Sequence, residues 1–106
     1  MYEHLFIRKT NGLFVKVDSH AIVYVEASGG CSKIVTTSGH HLVNSTLSQL
    51  EELLPAANFC RVNRSCIVGM VHIDSFTHES IFIADREIPL GKSYAAAFFQ
   101  MVKMVF

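Results

Sequence analysis

The chain has 106 residues, half of them hydrophobic, and nine Lys and Arg residues balance nine Asp and Glu residues at a formal net charge of zero. This hydrophobic fraction excludes intrinsic disorder, and the length leaves no room for a second domain or a large enclosed cofactor. Zero net charge argues against binding nucleic acid through bulk charge, although a local basic patch is compatible with it. We therefore expect residues 1–106 to form a single domain.

The sequence contains neither a membrane span nor a secretory signal. Polar or charged residues interrupt every apolar stretch before the roughly 18 residues that a span needs, and the N-terminal segment MYEHLFIRK lacks the apolar core of a signal peptide. The three cysteines, Cys31, Cys60 and Cys66, are odd in number and have no C-x-x-C spacing. This pattern favours free thiols, a cytoplasmic location and no membrane partner.

Short apolar runs separated by turn signals predict β-strands in the first half of the chain. The first two runs are joined by Asn11-Gly12, a hairpin signal because this pair tolerates positive φ. Later runs are separated by Ser28-Gly29-Gly30 and by Ser38-Gly39, which favour turns. The predicted strands are residues 4–8, 13–17, 21–26, 33–37 and 41–43.

One central segment changes to the helical period. Leu47, Leu50, Leu53 and Leu54 recur at helical spacing. Ser45 or Thr46 can cap the start, and Pro55 closes the end. These signals predict an amphipathic helix of about three turns, in which Leu47, Leu50 and Leu54 pack onto a sheet.

Strands resume after this helix and a second helix closes the chain. The predicted strands are residues 59–68, 72–76, 80–84 and 87–90, and the predicted helix covers residues 93–106. Ser93 is its expected N-cap, and Tyr94, Phe98 and Met101 are expected to face the core. Because strands and helices do not alternate, the pattern predicts a mainly β fold of antiparallel sheets with one central short helix and one C-terminal helix.

No motif for catalysis, metal binding or phosphate binding is present. The six histidines lack metal-ligand spacing, and neither a G-x-S-x-G elbow nor a glycine-rich phosphate loop occurs. Cys60 and Cys66 are interpreted as small apolar residues of a core strand. We therefore expect no enzyme activity, no metal and no cofactor.

The basic residues are more informative than the net charge. Four of them, Lys33, Arg61, Arg64 and Lys92, have no acidic residue nearby in sequence and stand beside Ser32, Asn63, Ser65 and Ser93. Arg and Lys beside Ser and Asn are the side chains that bind phosphates and base edges. The alternative is a scattered, solvated surface.

The run FCRVNRSCIVG, which follows a segment ending in LLP, resembles the central signature of the LytTR domain family. These are the DNA-binding output domains of LytR/AlgR-type response regulators. Three further blocks match in order, so that the resemblance covers about residues 5 to 104: IVYVEASGGCSKIVTT, HHLVNSTLSQLEELLP and IPLGKSYAAAFF. The resemblance implies an elongated fold and a sequence-specific transcriptional regulator, either a response-regulator output domain or a stand-alone protein.

Members of the family insert loops into successive major grooves, and the resemblance carries DNA contacts onto three segments. The implied contacts are Ser32 with Lys33, Asn63 or Arg64 with Ser65, and Lys92 with Ser93. Some positions depart from the family pattern: Asn63 stands where His is common, Gly69 where Asn is common, Gly91 where Ser is common and Lys92 where Arg is common. Lys lacks the bidentate fork of Arg, which weakens guanine readout at Lys92.

The orientation of Arg64 stays open from the sequence. Arg64 has the strand parity of Val62 and Cys66, so it could instead point inward and pair with a carboxylate such as Glu26. Asn63 would then read the bases.

The implied partners are double-stranded promoter DNA with direct repeats and a second copy of the chain on that DNA, with half-sites roughly 10–10.5 bp apart. An upstream receiver domain or a histidine kinase is a further implied partner. The competing interpretation is a LytTR-like protein-interaction module without DNA binding of its own.

Overall fold

The computed structural model describes residues 3–106, so Met1 and Tyr2, the first residues of the predicted domain, lie outside the described residues. The described strands are β1 (His4–Arg8), β2 (Phe14–Asp18), β3 (Ile22–Ser28), β4 (Cys31–Thr36), β5 (Gly39–Val43), β6 (Phe59–Asn63), β7 (Cys66–Gly69), β8 (Ile73–Phe76), β9 (Ser80–Ile83) and β10 (Arg86–Pro89). The α-helices are α1 (Leu47–Leu53) and α2 (Lys92–Met101). No helix within this part of the chain has the length and apolar character needed to cross a bilayer.

The strands of residues 3–106 form three antiparallel sheets. The central sheet has five strands in the order β5-β4-β3-β7-β6, and it is accompanied by the β1–β2 hairpin and a three-stranded sheet in the order β10-β9-β8. The molecule is elongated, with extents of 51 × 29 × 25 Å. The predicted fold class is therefore confirmed.

The central sheet separates two hydrophobic clusters. Successive side chains of a strand point to opposite faces, and Tyr24 and Val25 of β3 accordingly belong to different clusters. One cluster joins the sheet to α2 and the three-stranded sheet around the fully buried Phe98. The other joins it to the β1–β2 hairpin and α1, whose predicted core residues Leu47 and Leu50 are buried. Each face of the sheet is thus covered by one helix.

Helix α1 has seven residues, about two turns instead of the predicted three. It begins at a capping box: the Thr46 side chain accepts from the Gln49 N–H, and the Gln49 side chain accepts from the Thr46 N–H. Thr46 is therefore the N-cap, and Ser45 is not. The helix ends at Leu53 because Leu54 precedes Pro55, which disfavours helical dihedrals, and Leu54 is extended at φ −78° and ψ 144°.

The segment predicted as one strand over residues 59–68 is a hairpin. β6 ends at Asn63 and β7 begins at Cys66, so Arg64 and Ser65 form a two-residue turn. The Asn63 side chain accepts from the Ser65 N–H at 2.7 Å, a local bond that favours turns. The prediction was wrong because hydrophobic residues flank the turn on both sides while the turn itself contains neither Gly nor Pro.

Helix α2 differs from the prediction at both ends. Its N-cap is Gly91, so Ser93 is the second helical residue and not the cap. The helix ends at Met101 instead of Phe106, and the last two residues are almost completely exposed. Without a packed face, the last turn lacks the tertiary contacts that stabilise short helical segments.

Gly69 lies in a position too narrow for a side chain. A Cβ atom at Gly69 would lie 2.5 Å from the carbonyl oxygen of Ile22 and 3.1 Å from that of Val23. Both are backbone atoms of the central sheet, so neither can move aside as a flexible side chain would. A side chain at Gly69 would therefore require the backbone of the central sheet to shift.

Candidate nucleic-acid interface

Three turns meet at one end of the central sheet. The Ala27 N–H, near the end of β3, donates to the Ser65 carbonyl at 2.9 Å and holds the β6–β7 turn beside the β3–β4 turn. The Gly91 N–H donates to the Val62 carbonyl at 2.8 Å and holds the β10–α2 junction beside β6. We name this region the turn end and define it as residues 28–33, 63–65 and 89–93. It brings together the three segments to which the sequence assigned DNA contacts.

Asn63 is the side chain that ties two of these turns together. Its Nδ2 donates to the Pro89 carbonyl at 2.7 Å, and its Oδ1 accepts from the Ser65 N–H at 2.7 Å. Both functions of the amide are therefore engaged inside the protein. Asn63 thus links the β6–β7 turn to β10, with one hydrogen bond from each of its two amide atoms.

Arg64 lies at the tip of the β6–β7 turn and is exposed. Its guanidinium makes no hydrogen bond or ion pair within residues 3–106, whereas its carbonyl accepts from Arg61 Nη2 at 2.6 Å. The inward-facing alternative is wrong, because the turn reverses the chain and Glu26 pairs with Arg86 instead. Arg64 is thus an exposed cation at the tip of a turn that hydrogen bonds hold in place.

Arg61, three residues earlier, has a different environment. Its Nη1 lies 3.3 Å from Glu51 Oε1 and donates to the Ser48 hydroxyl at 3.3 Å. Arg61 therefore joins β6 to α1, and its charge is balanced by a carboxylate that is remote in sequence. The four basic residues that the sequence grouped together are not equivalent.

Ser32 was predicted to contact DNA, but the structure places its side chain inside the protein. It is only 1% exposed, and its hydroxyl donates to the Ser45 carbonyl at 2.7 Å. The turn between β3 and β4 consists only of Gly29 and Gly30, at φ 55° and 86°, so Ser32 already lies within β4 and not in the loop. Ser32 anchors the strand to the segment before α1 and presents no side chain at the surface.

Lys33 also lies in β4 and is half-buried. Its neighbour across the β3–β4 pair is Glu26, which the sequence alone did not place beside it. Glu26 is itself engaged by Arg86, whose Nη1 donates to Glu26 Oε2 and to the Tyr24 hydroxyl, each at 2.8 Å. These bonds raise the pKa of Arg86. Arg86 therefore already balances the negative charge of Glu26, even though Lys33 is the cross-strand neighbour of Glu26.

The Glu26–Arg86 pair was missed by sequence reasoning. The two residues are 60 positions apart, and no local pattern joins them. A shallow cavity of about 280 Å³ lies beside the pair and is also lined by Asn63 and Pro89. The pair thus borders the turn end and fixes the three-stranded sheet against the central one.

Lys92 and Ser93 are exposed in the first turn of α2. The first backbone N–H groups of a helix carry partial positive charge and lack helical partners. Lys92 adds a full positive charge at the same place. This combination suits a phosphate oxygen, the group most often bound at helix N-termini.

Two of the three cysteines are buried thiols of the core strands. The predicted free state of Cys31, Cys60 and Cys66 is confirmed, and Cys60 and Cys66 are buried. Burial raises the pKa of the Cys66 thiol to about 12, with a smaller contribution from the Glu26 carboxylate. Within residues 3–106, no three His, Cys, Asp or Glu side chains are grouped closely enough to hold a metal ion.

The family model described as "LytTr DNA-binding domain" matches residues 13–103. The CO-responsive transcriptional regulator RcoM of Rhodospirillum rubrum is 38% identical over 60 residues, which cover 57% of this chain and 25% of RcoM. The sensory transduction protein LytT of Bacillus anthracis is 32% identical over 87 residues, which cover 76% of this chain and 35% of LytT. The chain therefore spans about a quarter to a third of the length of these relatives.

The fold matches a solved LytTr DNA-binding domain from Bacillus cereus. The TM-score is 0.76 at 25% sequence identity, and the match covers 92% of this chain and 94% of the other.

Proposed function

The chain belongs to the LytTR family of DNA-binding domains, and on this premise we propose that it is a sequence-specific transcriptional regulator that presents its turn end to DNA. Residues 1–106 act as one such domain, and catalysis is not part of this function. The observation that carries the proposal is the convergence of the three predicted segments through backbone and Asn63 hydrogen bonds. Turns so held can enter successive major grooves without reordering.

We assign different roles to the exposed side chains of the turn end. Arg64 reads a base, since a guanidinium can donate two hydrogen bonds to guanine O6 and N7. Lys92 and Ser93 contact phosphate together with the N-terminus of α2, and Lys33 is a second phosphate contact. Ser65 stands beside Arg64 in the turn, and Asn63 holds that turn in place.

The zero net charge fits a small number of phosphate contacts. Two or three lysines and arginines would release few counterions, which gives a slope of log affinity on log salt of about −3 or shallower. All nine acidic residues lie outside the turn end, and most of them are on α1, in the β1–β2 hairpin or in the three-stranded sheet with its turns. A neutral chain can therefore present a locally basic surface.

The partners follow from the same proposal. Two copies bind direct repeats in promoter DNA, with half-sites about one helical turn apart, roughly 10–10.5 bp. LytT, a similar protein, is described as a sensory transduction protein and is longer than this chain. A receiver domain or a histidine kinase is therefore the upstream partner that we propose, with a cytoplasmic location.

Selection from a random duplex library tests the proposal and does not require a known operator sequence. We expect enrichment of a motif repeated at one-turn spacing. Arg64→Ala should lose about 1–3 kcal/mol of binding free energy on the enriched duplex. On a scrambled duplex the same variant should lose little. Lys92→Ala should weaken both duplexes and lower the salt slope by about one unit.

Lys103→Ala is the matched control, because Lys103 is an exposed lysine outside the turn end. It should leave affinity for both duplexes unchanged. Enrichment of no motif would favour the alternative, a LytTR-like protein-interaction module. Equal losses for Lys103→Ala and Lys92→Ala would contradict the assignment of the turn end.

A further inference from the structure

We propose that the outward face of the β1–β2 hairpin is a second nucleic-acid contact, which stacks unpaired bases of a single strand. We name it the hairpin face; its members are all exposed and form the cross-strand pairs His4–Asp18, Phe6–Lys16 and Arg8–Phe14. The alternate residues Ile7 and Val17 point the other way and are buried against the α1 side of the sheet. The hairpin is thus anchored on one face and open on the other.

The first observation is the pair of exposed aromatic rings. Phe6 is 62% exposed and Phe14 is 58% exposed. They occupy diagonal positions of neighbouring cross-strand pairs, which lie about 7–8 Å apart in an antiparallel ribbon. Two large aromatic side chains that are exposed and adjacent on one face of a hairpin indicate an interaction surface.

The second observation is the charge around these rings. Arg8 and Lys16 occupy the opposite diagonal, and neither makes a hydrogen bond or ion pair within residues 3–106. By contrast, Arg61 and Arg86, which lie elsewhere in the fold, are both paired with carboxylates. The one acid of the hairpin face, Asp18, is engaged by His4. The face therefore alternates aromatic rings with two positive charges, Arg8 and Lys16, against the single carboxylate of Asp18.

This alternation selects the chemistry of the partner. Single-stranded nucleic acid offers a flat base for each ring and a phosphate for each cation, the combination on which sequence-tolerant strand binding depends. A duplex keeps its bases stacked on one another and offers the rings nothing comparable. A second copy apposed through the same face would bring Arg8 and Lys16 against their own counterparts, which repel.

The hairpin face is separate from the turn end. Strand β1 lies before residue 13, where the match to the family model begins, whereas β2 lies within that match. None of the three bonds that assemble the turn end involves β1 or β2. The inference therefore does not depend on the proposed reading of duplex DNA, and the two can fail separately.

The test uses the full chain and a labelled oligothymidylate of about 12 nucleotides, within the site sizes known for strand-binding domains. Fluorescence anisotropy is measured for the parent protein and for Phe6→Leu, Phe14→Leu and Arg8→Gln. Leu preserves an apolar side chain but cannot stack, so we expect each Phe variant to weaken binding about tenfold. Arg8→Gln should weaken binding and reduce its salt dependence.

Two controls locate the binding. Leu42→Ala removes an equally exposed apolar residue from β5 and should leave oligothymidylate affinity unchanged. Arg64→Ala should also leave it unchanged while reducing binding to the enriched duplex. Upfield NMR shifts of the Phe6 and Phe14 ring protons on oligothymidylate addition would support stacking directly.

Three results would overturn the inference. The first is a parent protein that does not bind the oligothymidylate. The second is binding that Arg64→Ala abolishes and the Phe variants do not affect, which would place the strand at the turn end. The third is Phe6-dependent binding to phosphatidylglycerol vesicles without oligothymidylate binding, which would make the face a membrane contact.

Discussion

Helix α1 and the turn end are both shaped by side-chain and backbone hydrogen bonds, but their partners lie at very different distances along the chain. The capping box of α1 joins Thr46 to Gln49, three positions apart. At the turn end, Asn63 reaches Pro89, 26 positions away, and Ala27 reaches Ser65. The helix is therefore specified locally, whereas the candidate site exists only once the sheets have assembled.

The largest effect is expected where α1 packs on the sheet. Leu50 is 6% exposed within the cluster on the α1 side, and Leu50→Ala should cost about 2–5 kcal/mol of unfolding free energy. Urea unfolding measures this loss. Leu53→Ala, on the same helix but 58% exposed, is the control and should change stability by less than about 0.5 kcal/mol. Equal losses for the two variants would show that α1 is not docked through Leu50.

The parts of the fold that the sequence predicted are those with local signals. Asn11 and Gly12 predicted a hairpin, and both residues have positive φ, at 71° and 74°. Pro55 ends α1, and the period of its leucines identifies the buried side of the helix. Each of these signals acts within a few residues, so it can be recognised in the sequence before any tertiary contact is known.

The candidate site was predicted less well, for a physical reason. The segments were identified from the family resemblance, but the roles of their side chains depend on partners far away in sequence. Ser32 is buried by its bond to Ser45, and Arg61 is balanced by Glu51, whereas Arg64 three residues later is not. Neighbouring residues of similar chemistry thus lie in different environments, and only tertiary contacts distinguish them.

The second prediction tests whether Asn63 positions the turn end. Asn63→Ala removes both amide bonds and should cost about 1–3 kcal/mol of unfolding free energy. Because the turn would lose its geometry, affinity should fall for enriched and scrambled duplexes alike. Arg64→Ala should instead spare stability and act on the enriched duplex alone.

Asn63→Asp refines this comparison. It retains the oxygen that accepts from Ser65 but replaces the donor to Pro89 with a second carboxylate oxygen, which the Pro89 carbonyl repels, so its stability should fall below that of the parent. The measurements are urea unfolding and duplex titration on the same preparations. A folded, fully stable Asn63→Ala protein that loses only the enriched duplex would make Asn63 a base reader and contradict the positioning role.

The smallest effect concerns another long-range contact, between the β1–β2 hairpin and β5. Lys9 Nζ lies 2.5 Å from His41 Nδ1, and because an ammonium can only donate, the imidazole must accept and be neutral. The pKa of His41 is lowered below its ordinary value of 6.5, first by burial and then by the charges of Lys9 and His40. The unfolded chain therefore takes up this proton more readily than the folded one.

The sign of the pH dependence follows from that difference. The contribution of His41 to stability is complete above about pH 6.5, the unfolded value, and is lost as the pH falls through the lower folded value. For a partly exposed group the loss should stay below about 1 kcal/mol.

His41→Gln keeps an acceptor for Lys9 but cannot titrate, so its unfolding free energy should fall less than that of the parent between pH 7.5 and pH 5. His40→Gln, at the exposed neighbouring position, should keep most of the parent's pH dependence. If the His41→Gln and His40→Gln profiles coincide, the Lys9–His41 contact does not hold the hairpin to the sheet, and the apolar face of the hairpin, which includes Ile7 and Val17, holds it instead.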